Sequence, residues 1–178
     1  MIIMQHPSMT NKIIPNPLFE HKIITLNWLL VNLLQIKATN KIIFTNGCFD
    51  IIHSGHVTYL AQAKSLGDKL IVAVNSDESV REQNKGINRP INQLHNRMLV
   101  IAALEAVDYV ISFNANTPYE LITAIMPDIL VKGGDWEIDS IVGAKEVLAN
   151  QGEVYSIPFI HHTSTTNIIN KIHQFPQK

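Results

Sequence analysis

Five short apolar runs, separated by stretches of helical periodicity, constrain this chain more than any other feature. The runs are Ile42-Ile43-Phe44, Leu70-Ile71-Val72-Ala73-Val74, Tyr109-Val110-Ile111, Ile129-Leu130-Val131 and Val154-Tyr155-Ser156-Ile157. Between them, segments from about Gly55 to Leu66, Pro90 to Leu104, Pro118 to Ile125 and Ile141 to Ala149 read as helices, and Thr165 to Ile172 closes the chain. Strand, helix, strand in repetition implies parallel pairing, because parallel neighbours need crossover connections. Strands this continuously apolar are covered on both faces. The expected fold is therefore α/β: a Rossmann-like, doubly wound sheet of five parallel strands with helices on both sides.

Upstream of the first run, Leu26, Leu29, Leu30, Leu33 and Leu34 follow the i, i+3, i+4, i+7, i+8 rule with Thr25 as a cap, so an amphipathic helix reaches about Ile36. Residues 1–20, with Pro7, Pro15 and Pro17, lack periodicity and read as a flexible lead-in to one domain spanning 21–178. Thr117-Pro118-Tyr119-Glu120 resembles a capping box with proline at the first helical position, and Gly67 stands where a helix should stop. The 178 residues leave no room for two full catalytic domains.

Composition excludes several classes of function. A formal charge of −1 lacks the basic excess expected of a nucleic-acid binder or a polybasic membrane surface. The charge is uneven: within 79–98, Arg81, Lys85, Arg89 and Arg97 stand against Glu82, whereas 101–153 is strongly acidic. The overall balance excludes a long polyanion as the natural partner, but a basic loop of this kind suits a small one. One cysteine, Cys48, supplies neither an internal disulfide nor a CxxC metal knuckle. No signal peptide or membrane span is expected, and the expected location is cytoplasmic.

The chemistry concentrates in TNGCFDIIHSGH (45–56), immediately after the first strand and opening the first long helix. In an open α/β sheet that junction borders the ligand crevice, and the N–H groups and dipole of the helix start attract anions. His53 and His56, three apart, can share one side of the helical start, while Gly47 and Gly55 let an anion approach the backbone. Two imidazoles there can donate hydrogen bonds to a phosphate and offset charge in the transition state. Other readings are a helix cap, a metal or redox protein built on Cys48 and the histidines, or a cysteine nucleophile; no HExxH or similar ligand set accompanies the pair.

TNGCFDIIHSGH resembles the TxGxFDxxHxGH signature of the cytidylyltransferase-like nucleotidyltransferases, which share HxGH with class I aminoacyl-tRNA synthetases. Those synthetases are much longer and carry a KMSKS-type loop absent here. GDKLIVAVNSDESV (67–80), KGINRPIN (85–92), RMLVIAALEAVDYVI (97–111), DILVKGGDW (128–136), IVGAKEV (141–147) and STTNIINKI (164–172) together look like the adenylyltransferases of ADP-heptose synthesis, a domain fused in many bacteria to a sugar kinase. The resemblance covers residues 22–173.

The resemblance implies that ATP lies over the switch point of the sheet. Its phosphates would meet His53, His56 and Lys85 as catalytic residues. Thr45, Asn46, Gly47, Phe49, Gly55, Lys132, Gly133, Asp135, Ser164, Thr165 and Thr166 would bind nucleotide and phosphate, and Arg89 and Arg97 would grip the sugar phosphate. The implied reaction is attack of a heptose 1-phosphate oxygen on the α-phosphorus of ATP, with pyrophosphate leaving and Mg²⁺ accompanying the ATP phosphates; no protein metal site is implied. Asp50 is read as ordering the loop. Further implications are a homodimer, as in related enzymes, and a separate heptose kinase as pathway partner. Two departures stand out: His161-His162-Thr163 replaces the acid-glycine pair before STT, and Arg81-Glu82-Gln83-Asn84 replaces a basic-apolar approach to the KG pair. A cytidylyltransferase acting on glycerol 3-phosphate or another alditol or sugar phosphate is the alternative, although the arginine of RTxGxSTT is absent. A non-catalytic nucleotide sensor is a further one.

Overall fold

A computed structural model of the chain describes residues 17–83, 88–161 and 163–175. After a short 3-10 turn at Leu18–Lys22 the order is α1 (Leu26–Lys37), β1 (Ile42–Gly47), α2 (Ser54–Lys64), β2 (Lys69–Asn75), α3 (Asp77–Glu82) and α4 (Leu94–Ala102). Then follow β3 (Tyr109–Phe113), α5 (Tyr119–Ile125), β4 (Ile129–Gly133), α6 (Ala144–Ala149), β5 (Glu153–Ile157) and α7 (Thr165–His173). The five strands form one parallel sheet in the order β3-β2-β1-β4-β5. The chain winds outward from β1 to one edge and returns to build the other, so the crevice opens at the C-terminal ends of β1 and β4.

Alternation along each strand divides the core between two faces. Ile43, Leu70, Val72 and Val131 pack under α2 and α4 with Tyr59, Leu60, Met98 and Ile101. Ile42, Phe44, Ile71 and Leu130 face the other way, against Leu29 of α1, Ile122 of α5 and Val147 of α6. Every strand residue from Ile42 to Phe44 and from Leu70 to Val74 is fully buried, as continuous apolar runs require.

Local expectations are met at two helix starts and need correction elsewhere. Thr25 caps α1 by accepting from the Trp28 amide, and Ser164 caps α7 by accepting from the Asn167 amide. The expected capping box at Thr117 does not form: α5 starts one residue later, with Pro118 in the cap position and no side-chain cap bond. Nor does Gly67 cap α2, which ends at Lys64. Gly67 instead passes so close to β1 that a Cβ would lie 2.8 Å from Ile43 Cδ1 and 3.0 Å from the Lys41 carbonyl. The short helix α3 was not expected, although Ser76 before Asp77 and Glu78 is a legible start signal, and the Ser76 side chain accepts from the Ser79 amide. Phe19, inside the expected lead-in, packs against the core, while 1–16 fall outside the described residues. Among the described residues, no helix is long and apolar enough to cross a membrane.

Candidate active site

β1 runs on to Gly47, two residues from Phe49, where the chain turns sharply. Phe49 and Ile51 both adopt left-handed backbone, at φ 49° and 54°, a conformation that costs a residue with a Cβ about 1 kcal/mol or more. Two braces hold it. Between the strained residues, the buried Asp50 carboxylate accepts from the Ile91 amide at 2.7 Å, the Asn92 amide at 2.9 Å and Arg89 Nε at 2.8 Å. Behind the loop, Arg97 donates through Nη1 to the Cys48 carbonyl at 2.6 Å, through Nε to the Asn92 carbonyl at 2.9 Å and through Nη2 to Asp77 at 2.7 Å. Burial alone would raise the Asp50 pKa, but the Asn92 and Ile91 amides and the Arg89 guanidinium outweigh it and hold the carboxyl below its usual range.

The braced loop delivers His53 to the cap position of α2 and His56 to its first turn. Their rings stack at 3.9 Å between centroids, with Phe49 edge-on to His56 at 5.6 Å and Phe159 at 6.4 Å. Both Nδ1 atoms are buried without a hydrogen-bond partner. Burial, and then the neighbouring His53, push His56 down to about 4, and burial lowers His53 as well. Near neutral pH both rings are therefore uncharged, so each presents one N–H donor and one acceptor. Ser164, Thr165 and Thr166, at the start of α7, close the opposite wall, and Thr165 donates to the Asp50 carbonyl at 2.8 Å. Together with Arg89 and Cys48 these groups line a cleft of about 380 Å³. Two helix N-termini, two imidazoles, four hydroxyl side chains and one guanidinium line one cleft, an arrangement chemically suited to a phosphate-bearing anion.

The depressed histidines carry a consequence for stability. Between about pH 6.5 and 4 the unfolded chain binds a proton at His56 that the folded chain does not, so stability is fully present above 6.5 and falls with acidification. The thermal midpoint is expected to drop across that window, and His56→Gln should flatten the slope. An unchanged slope in the variant would place the titrating group elsewhere.

Not every expected residue reaches the cleft. Thr45 is fully buried on the α2 face, hydrogen-bonded to the Tyr59 hydroxyl, because β1 is longer than its apolar run. Arg97 is 1% exposed and each of its three nitrogens donates to a protein acceptor, so it supports the loop instead of presenting charge to a ligand. Gly133 is covered by aromatic rings: a Cβ there would come within 2.9 Å of Phe159. Asp135 is exposed in the turn after β4 and lines neither this cleft nor its neighbour. A Cβ on Gly47 would press on the Phe49 ring at 3.1 Å, and one on Gly55 on the His53 ring at 3.0 Å, so both glycines serve ring packing. Asn46 and Lys132 point to the far face of the sheet, where Lys132 Nζ donates to Asn46 Oδ1 at 3.2 Å beside a second cavity. Lys85 and His162 lie outside the described residues. Phe159 and the supporting role of Arg97 are what the spacing alone did not disclose, whereas Asp50 orders the loop as expected. Among the described residues, no three His, Cys, Asp or Glu side chains gather to hold a metal ion.

Comparison with known proteins agrees with this geometry. Residues 44–171 match the family described as Cytidylyltransferase-like. Over 138 residues the chain is 57% identical to the bifunctional protein HldE of Escherichia coli strain K12 / DH10B, an alignment covering 78% of this chain and 29% of that protein. The HldE of Shigella boydii serotype 18 matches equally, at 57% over 138 residues and the same coverage of 78% and 29%. The chain thus spans less than a third of the length of these curated relatives. Among solved structures, a lipopolysaccharide core biosynthesis protein from Thermoplasma volcanium GSS1 superimposes with a TM-score of 0.57 at 27% identity, covering 70% of this chain and 99% of that one. Pantoate-beta-alanine ligase from Francisella tularensis shares the fold, with a TM-score of 0.56 at 16% identity over 86% of this chain and 78% of that one.

Proposed function

The chain belongs to the cytidylyltransferase-like family of nucleotidyltransferases, and from that premise we propose that it transfers the adenylyl group of ATP to D-glycero-β-D-manno-heptose 1-phosphate. The products are ADP-heptose and pyrophosphate, and the role is to supply an activated heptose for lipopolysaccharide core assembly. The observation that carries this reading is the convergence of His53, His56 and the Ser164–Thr166 helix start on one cleft. The 57% identity to HldE favours the heptose pathway over other members of the family.

In this reading the substrate is MgATP, with its β- and γ-phosphates against the start of α7 and its α-phosphate beside the stacked imidazoles. An oxygen of the sugar phosphate attacks the α-phosphorus, the bond to the bridging oxygen breaks, and pyrophosphate departs with the electron pair. No protein nucleophile is needed, because a phosphate monoester is already nucleophilic and catalysis can rest on positioning and charge stabilisation. The neutral histidines suit this role: they admit a highly charged substrate and gain hydrogen bonds as charge moves to the leaving oxygen. Arg89, its charge paired with Asp50, offers guanidinium N–H donors at the cleft, and Lys85 is proposed to add a cation from outside the described residues. A separate kinase would supply the heptose 1-phosphate, and a homodimer remains part of the proposal.

The test is to incubate the protein with heptose 1-phosphate and each nucleoside triphosphate while following pyrophosphate. ATP is expected to be preferred by at least tenfold in kcat/KM. A preference for CTP, or for glycerol 3-phosphate over the heptose, would replace this reading with the cytidylyltransferase one. Tight ATP binding without pyrophosphate release from any pair would point to a nucleotide sensor.

A further inference from the structure

Phe159 is 43% exposed, yet its ring packs edge-on against two others, His56 at 6.4 Å and Tyr59 at 5.7 Å between centroids. We propose that Phe159 is a positioning residue for adenylyl transfer: it shields the His56 ring from water and holds it in place, without touching the reacting atoms. This inference rests on the reading of the histidines as donors to the transferred phosphate.

The seat of the ring comes from three separate elements. Tyr59 of α2 is 3% exposed, and its hydroxyl is hydrogen-bonded to Thr45 and to the Val131 carbonyl at 3.3 Å, so that wall is fixed. Gly133 ends β4, and a Cβ there would lie 2.9 Å from Cζ and 3.2 Å from Cε1 of Phe159. Its backbone is not left-handed, so what the missing side chain provides is room for the ring. The chain then carries Phe159, two residues beyond β5, back over the first turn of α2.

What this ring covers gives it a role in the chemistry. His56 Nδ1 is buried without a hydrogen-bond partner, so the orientation of the imidazole rests on packing against His53, Phe49 and Phe159. Phe49 is 5% exposed and belongs to the floor of the site, whereas Phe159 is half-exposed and is the neighbour whose place water would take. A donor acts on developing charge most strongly where water is excluded, so the shield contributes to kcat more than to ATP binding. The titratable groups around His56 are His53, with Cys48, Asp50 and Arg89 on the same cleft and Tyr59 behind Phe159. Asp50 and Arg89 are paired with each other. Burial, ahead of His53, is what pushes His56 down to about 4, so the titration of that ring reports how well it is covered.

Phe159→Ala, read by NMR titration of the His56 ring and by steady-state kinetics, tests the assignment. The ring is expected to titrate about one pH unit or more higher than in the wild type, because water reaches it. At neutral pH kcat should fall about tenfold while KM for ATP stays within about threefold. Phe159→Leu keeps an apolar cover and should restore both the low titration and most of kcat. Gly133→Ala keeps the phenyl ring but displaces it from its seat, and should move the titration in the same direction as Phe159→Ala. An unmoved His56 titration in Phe159→Ala would overturn the proposal. So would a moved titration with kcat unaltered, or a KM for ATP that rises as much as kcat falls. The titration needs no substrate, which separates the two failures: wild type that turns over no nucleoside triphosphate ends the adenylyl-transfer reading, while a moved titration in the same variants still supports the shield.

Discussion

Replacing His56 by alanine is expected to lower kcat by about two orders of magnitude or more, with the far-UV spectrum unchanged. The imidazole lies between Phe49 and Phe159, and its Nδ1 is buried without a partner. Its loss removes a group whose hydrogen-bonding capacity the free protein leaves unsatisfied, so the fold loses only packing. What disappears is a donor aimed into a cleft from which water is partly excluded, where such donors act most strongly on developing charge. KM for ATP should change much less than kcat, since the donor matters most where charge builds. His53→Ala should behave similarly, and the double variant should be far less than multiplicatively worse, because rings 3.9 Å apart act as a unit. A His56→Ala enzyme within fivefold of wild-type kcat would remove the histidines from the mechanism.

The second large effect is expected on stability and activity together. The Asp50 side chain is 0% exposed and Arg89 only 10%, so the pair is a buried ion pair whose remaining acceptor capacity is filled by two backbone amides. Asp50→Asn retains the shape but turns one acceptor into a donor facing donors and leaves Arg89 without its counter-charge. Breaking one side of such a pair costs about 3–5 kcal/mol. In a chain of this length that lowers the thermal midpoint by roughly 10 °C. Phe49 and Ile51 lose the hydrogen bonds that hold their left-handed backbone, so the loop relaxes and His53 moves with it. Activity should then fall even at temperatures where the variant is folded. Differential scanning calorimetry and a rate assay at 15 °C test the two halves separately. A midpoint shift under 2 °C would falsify the buried-pair account. Full activity at 15 °C would show that the loop geometry does not depend on Asp50.

The charge pattern shows how sequence and structure speak to different questions. Between 79 and 98 the sequence carries an excess of cations, and a ligand-gripping basic loop is the natural reading. In the fold Arg97 is buried against Asp77 and Arg89 against Asp50. Both carboxylates lie outside that window, at positions that pairing through the sheet brings back. Local counting could not see this neutralisation, because the partners are 20 and 39 residues away. The Thr45 side chain is buried away from the cleft for a related reason. The apolar run ends at Phe44, but hydrogen bonding with β2 carries β1 on to Gly47, and the side chain at 45 turns into the α2 face. By contrast, the first turns of α2 and α7 were legible. Their histidines, hydroxyls and caps are local signals, and a helix start creates its own anion-binding environment wherever it lies.

The sequence by itself determined the doubly wound sheet, its strand count and the family, since alternating periodicity leaves few topologies and the separate motifs between 45 and 172 fall in the family's order. Only the tertiary structure decided which polar residues face a ligand. It turned Arg97 inward as a support, brought Phe159 from beyond β5 over the histidines, and set Asn46 and Lys132 on the opposite face from the phosphate cleft. The physical reason is the two-residue period of a strand. Neighbouring residues such as Thr45 and Asn46 point to opposite faces, and which face holds which ligand depends on the helices that pack there.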